Sequence, residues 1–143
     1  MIAHPKEPAI ATAAHTLFTN SWVPLLSKDR SYYMLDLVSS DLVHVPAFRD
    51  HLLVELANHD KLGTVRMRKG DIDVQTDGFQ QSQGVDDKDP LLPKEGAIET
   101  LRVADQIADS LSSRTGAPKF RRYWPEAARD KAIAAIAAWL RAQ

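Results

Sequence analysis

The chain has 143 residues, 44% hydrophobic and 26% charged, a mixture that supports one packed core and excludes a disordered, collagen-like or low-complexity polymer. A formal net charge of −1 argues against a dedicated binder of nucleic acid or anionic membrane. The absence of cysteine excludes disulfides, thiolate metal sites and cysteine nucleophiles.

At this length a single globular domain over 1–143 is expected. The first residues lack a basic stretch leading into an apolar one, so no secretory signal is expected, and no run approaches the roughly 18 apolar residues of a membrane span. With no cysteine to suggest an oxidising compartment, the location predicted is the cytoplasm.

In chain order, Pro8 opens a short helix with the stripe Ile10, Ala13, Ala14 and Leu17, and Pro24 closes it. The segment 27–45 reads two ways: Tyr32 to Val38 has strand-forming residues, yet Leu35, Val38 and Leu42 fit a helical face, and helix is preferred. Pro46 begins a helix through Phe48, Leu52, Leu53, Leu56 and Ala57 that should close near Gly63.

A β-hairpin follows at residues 64–75. Folded about Lys69-Gly70, Val65 meets Val74 and Met67 meets Ile72 on one face, while Arg66 meets Asp73 and Arg68 meets Asp71 on the other. Lys-Gly suits a turn with Gly70 at positive φ. Residues 75–89 are polar, glutamine-rich and acidic, and are expected as a long surface loop that could serve as a lid.

After Pro93 the stripe Ala97, Leu101, Ala104, Ala108 and Leu111, opposed by Glu99, Arg102, Gln106 and Asp109, predicts an amphipathic helix stopped by Thr115-Gly116. Pro125 opens the last helix, whose stripe is Ala132, Ile133, Ile136, Ala137, Trp139 and Leu140. The expected fold is therefore mainly α (α+β), with four to five amphipathic helices around one core and the hairpin at its edge.

Two groups of residues could carry chemistry. His51, Glu55 and His59 recur every fourth residue within about 80° of arc on one helix and are of metal-ligating type, with His44 as a further ligand. No HExxH spacing supports a metal, and a solvent-facing helix edge explains the same spacing. Lys119, Arg121, Arg122, Tyr123 and Trp124, with Phe120, interleave cations and aromatics as an anionic ligand, nucleic acid or acidic partner would require. The simpler account is that Phe120 and Trp124 anchor a loop in the core with the cations solvated.

Acidic residues at 71–78 miss the EF-hand spacing, and no G-x-S-x-G, P-loop or G-x-G-x-x-G occurs. Trp22, Tyr32 and Tyr33 could line an apolar pocket or fill the core.

The expected function is that of a small non-catalytic binding or interaction protein, acting as a homodimer with a protein or small-molecule partner and with no cofactor indicated by any motif. The alternatives are a metal-dependent or acid-base enzyme on the His51/Glu55/His59 face, and a nucleic-acid-associated regulator using 114–124.

Overall fold

The computed structural model describes residues 41–76 and 79–143. The helix expected after Pro8, the choice at 32–38 and the pocket of Trp22, Tyr32 and Tyr33 lie outside the described residues. A 3-10 turn at Asp41–His44 leads into α1 (Pro46–Leu56). Four strands follow: β1 (Lys61–Arg68), β2 (Asp71–Thr76), β3 (Phe79–Gly84) and β4 (Ile98–Arg102). Then come α2 (Val103–Ser112) and α3 (Glu126–Arg141). The strands form one antiparallel sheet in the order β3-β2-β1-β4.

Among the described residues there are thus three α-helices and a four-stranded sheet, which corrects the expectation of four to five helices around one core with a lone hairpin. The hairpin itself has the register read from the sequence, with Val65 opposite Val74, Arg66 opposite Asp73, Met67 opposite Ile72 and Arg68 opposite Asp71, and Gly70 turns at φ 82. It gains a strand on each side. β3 falls in the expected loop, and β4 falls inside the first turns of the expected helix.

Both departures have a physical cause. β3 is an edge strand of glutamine and serine, exposed from Gln80 to Gly84, so no apolar alternation marks it. In β4, Leu101 faces the core while Ile98 is exposed, and Leu101 then continues into Ala104, Ala108 and Leu111 of α2 at a spacing that imitates a longer helix.

Val65, Met67, Ile72, Val74 and Leu101 line one face of the sheet and join the buried stripes of the helices, Phe48, Leu52 and Leu56 of α1, Ile107 and Leu111 of α2, and Ile133, Ile136 and Leu140 of α3, in a single core. Burying each such side chain stabilises the fold by about 1.5–3 kcal/mol. The exposed pair Arg68–Asp71, two parallel hydrogen bonds of 3.0 Å, contributes about 0–1 kcal/mol. Register is therefore decided by the apolar face. On the polar face Asp73 accepts from Gln75 and Gln80, at 3.2 and 3.1 Å, where a pairing with Arg66 was expected.

Candidate functional site

Buried charge joins β4, α2 and α3. Asp105, in the first turn of α2, is fully buried, and its Oδ2 accepts from the backbone N of Arg102 at 2.8 Å, completing the helix start. The Arg102 guanidinium makes two further bonds to Asp105, 3.0 and 2.9 Å, and reaches Asp130 of α3 at 2.8 Å. These partners, the Asp105 hydrogen bond foremost, raise its pKa above the ordinary arginine value, so the charge is permanent.

Arg129 of α3 is 1% exposed and donates to Trp124 O, Thr100 O, Asp105 and Glu99. Every edge of this guanidinium is occupied. Its role is to lock the start of α3 onto the sheet and so to place the segment 117–125 between α2 and the end of β3.

That segment carries the sequence candidates. Phe120 is fully buried against Trp124, ring centroids 6.3 Å apart, as the anchoring account expects. Tyr123 and Trp124 are buried too, and both donate to Asp89 Oδ2, at 2.9 and 2.7 Å. Burial pushes the Asp89 carboxyl up, but hydrogen bonds from Trp124, the Leu91 amide and Tyr123, with the charge of Lys119, outweigh it and leave Asp89 below its ordinary value. Tyr123 moves the other way, raised by its burial and by the ionised Asp89. These contacts tie the chain that follows β3 to the segment before α3.

Arg122 was expected to be solvated and is 5% exposed. Gln81 and Gln83 stand opposite Val74 and Ile72 and so lie on the helix-facing side of β3. Their side-chain oxygens and that of Gln106 in α2 accept from the Arg122 Nη groups. Among the described residues its Nε has no hydrogen-bond acceptor, Asp109 Oδ2 standing 3.6 Å away.

Beside it opens a cleft of about 320 Å³ lined by Gln83, Gly84, Asp86, Asp109, Arg121, Arg122 and Tyr123. Burial raises the pKa of Asp109 although the charges of Arg122 and Arg121 pull it down. Arg121 is half-buried, and its one hydrogen bond within the described residues runs from Nη1 to Phe120 O, 3.0 Å. The cleft therefore combines a guanidinium with one hydrogen bond among the described residues, an Nε–H with no hydrogen-bond acceptor there and a carboxyl whose pKa burial raises. It can present donors to an acceptor-rich ligand.

Of the sequence candidates, Arg121, Arg122 and Tyr123 line this cleft, Trp124 is buried outside its lining, and Lys119 is exposed outside it. The histidine face is dispersed. α1 ends at Leu56, so His59 lies beyond the helix and exposed, while Glu55 is buried with Asn58 donating to it at 3.3 Å, and His51 is half-buried. His44 is exposed in the preceding turn. Among the described residues no group of three or more histidine, aspartate or glutamate side chains stands close enough to hold a metal ion.

Sequence reasoning had Gln83, Gly84 and Asp86 only as part of the expected acidic loop or lid at 75–89, and it missed Asp109 as a site residue. Asp109 carried a signal, since its position on the polar side of the α2 stripe aims it away from the core, but nothing local pairs it with residues 121–122. No family model, curated protein or solved structure matches the chain.

Proposed function

We propose that this is a small non-catalytic binding protein whose cleft between β3, α2 and residues 121–123 takes a small polar ligand. The observation that carries this reading is Arg121, a half-buried guanidinium on the wall of a polar cleft whose one hydrogen bond among the described residues is to Phe120 O. A guanidinium presents five donors in a planar fork, and four of them remain available here. The neighbouring Arg122 Nε adds a donor already out of bulk water.

The rival readings draw less support. Tyr123 and Trp124 turn inward onto Asp89, so the segment offers no exposed aromatic pair on which bases could stack. The dispersal of His51, Glu55 and His59 leaves a metal-dependent mechanism without an assembled ligand set among the described residues. No helix there is long and apolar enough to cross a membrane.

Homodimer formation belongs to the same proposal. The outer edge of β3 has no strand partner among the described residues, and its Gln80–Gly84 run bears no charge to repel a second copy. At the opposite edge, Thr100 O of β4 is taken by Arg129.

Binding is tested by titrating a library of small polar compounds against the isotopically labelled full chain and following the backbone amides of Gly84, Asp86, Arg121 and Tyr123. Compounds that move these signals are expected to raise stability by about 2.7 kcal/mol at one hundred times their dissociation constant. Arg121→Gln should abolish the response while leaving the unfolding midpoint in place. A library in which no compound moves the cleft signals of the native protein defeats the reading.

A further inference from the structure

We propose, building on the cleft as a ligand site, that its ligand carries a carboxylate gripped by Arg121 and by Arg122 Nε and hydrogen-bonded to the carboxyl of Asp109, one proton entering the cleft with it. Three observations converge. The free edge of Arg121 matches a carboxylate in bidentate geometry. Arg122 Nε is held in place by the three glutamines that fix its Nη groups, so it cannot swing out to find another acceptor. Asp109 Oδ2 is 3.6 Å from that Nε, so an incoming carboxylate shares its neighbourhood with an existing carboxyl.

A second carboxylate in contact with Asp109 raises the pKa of the pair further, against the pull of Arg121 and Arg122. Asp109 is the one predisposed to take the proton, because burial already raises it. Arg122 and Arg121 from the segment before α3 act on it directly, and the cleft around it is lined further by neutral Gln83 from β3, Tyr123, and Asp86 at the rim after β3. Asp86 is exposed and accepts from the Lys88 amide at 3.0 Å. With Asp109 protonated, the resulting O–H···O⁻ bond is of the strong, charge-assisted kind.

A ligand with two negative charges would meet Asp86 as well and gain no second arginine edge. A neutral ligand would leave the Arg121 charge unmatched. The carboxylate monoanion is what the lining selects.

The test uses the full-length protein with three probes: benzoate, its neutral isostere benzamide, and inorganic phosphate. Amide and arginine Nε signals of the cleft are followed between about pH 5 and pH 7.5, a window above the intrinsic carboxylate range. Calorimetry in buffers of different ionisation enthalpy counts protons. Benzoate is expected to bind at least tenfold more tightly than the other two. Its affinity should fall by up to about tenfold per pH unit once free Asp109 ionises, with a proton taken up on binding there. Asp109→Asn should bind benzoate with a flat pH profile, and Arg121→Gln should not bind it.

Benzoate binding without proton uptake, or preference for benzamide or phosphate, overturns the inference and leaves the cleft standing as a ligand site. Silence of the cleft signals with all three probes overturns the inference and counts against the ligand site itself. The proton count is read on the native chain, so a poorly folding Asp109 variant does not blunt the result.

Discussion

Asp89 shows how one carboxylate can organise a surface at the scale of single residues. Its Oδ2 takes the Tyr123 hydroxyl and the Trp124 indole N–H, and its Oδ1 takes the Leu91 amide at 2.9 Å. Asp89→Ala strands two donors in a buried setting, and a loss of about 1–3 kcal/mol is expected from urea unfolding near neutral pH. Because the folded pKa of Asp89 lies below its ordinary value, its contribution is present above about pH 3.9 and fades as pH falls through the lower folded value. The gap between native and variant should therefore close in acid, and a gap that stays constant down to pH ~2 would contradict the account. Asp109 has the opposite sign. Its raised folded pKa gives a contribution present below the ordinary carboxylate value and lost as pH rises through the folded one. At this scale the sequence revealed the 119–124 segment as a unit and Phe120 and Trp124 as anchors. It hid the burial of Arg122, because the glutamines that satisfy its charge lie about 40 residues earlier in a strand with no apolar pattern.

Among the elements, the β1–β2 pair is dictated locally and the outer strands are not. Cross-strand apolar and charged pairs within ten residues announce the hairpin, and its register follows the apolar ones. Nothing comparable announces β3, whose sequence after Phe79 is polar on both faces. It is recruited by the edge of β2 and by the need of Arg122 for acceptors on its inner face. Gly63, opposite Thr76, is where the two strands approach closely, since a Cβ placed there would collide with the Gln75 carbonyl. Gly63→Ala must displace backbone, and a destabilisation of about 1–3 kcal/mol is expected. Hydrogen exchange should show the loss first at the Gly63–Thr76 end of the hairpin. Unchanged protection there would mean that β1 and β2 stand further apart than the structure has them.

For the whole molecule, the sheet has two unlike edges. The β4 edge is drawn into the fold through Thr100, Glu99 and the buried Arg102–Asp105–Arg129 network, while the β3 edge remains open among the described residues. Two copies meeting antiparallel along β3 would extend one sheet across both, and light scattering at micromolar concentration should give a dimer mass. Ser82→Lys, which puts a like charge on both copies at that edge, should return the monomer, and a native monomer mass would remove the proposal. Length, composition and periodicity by themselves determined that the chain builds an apolar core, that helices begin after Val45 and Pro125, and that 64–75 folds back on itself. Each of those signals is local, carried by residues a few positions apart. Only the tertiary structure decided that the hairpin lies within a four-stranded sheet, that three charged side chains sit buried at the meeting of β4, α2 and α3, and that Asp109 faces Arg121 and Arg122. Those arrangements depend on charges and hydrogen-bond partners finding one another across long stretches of chain, for which sequence spacing carries no mark.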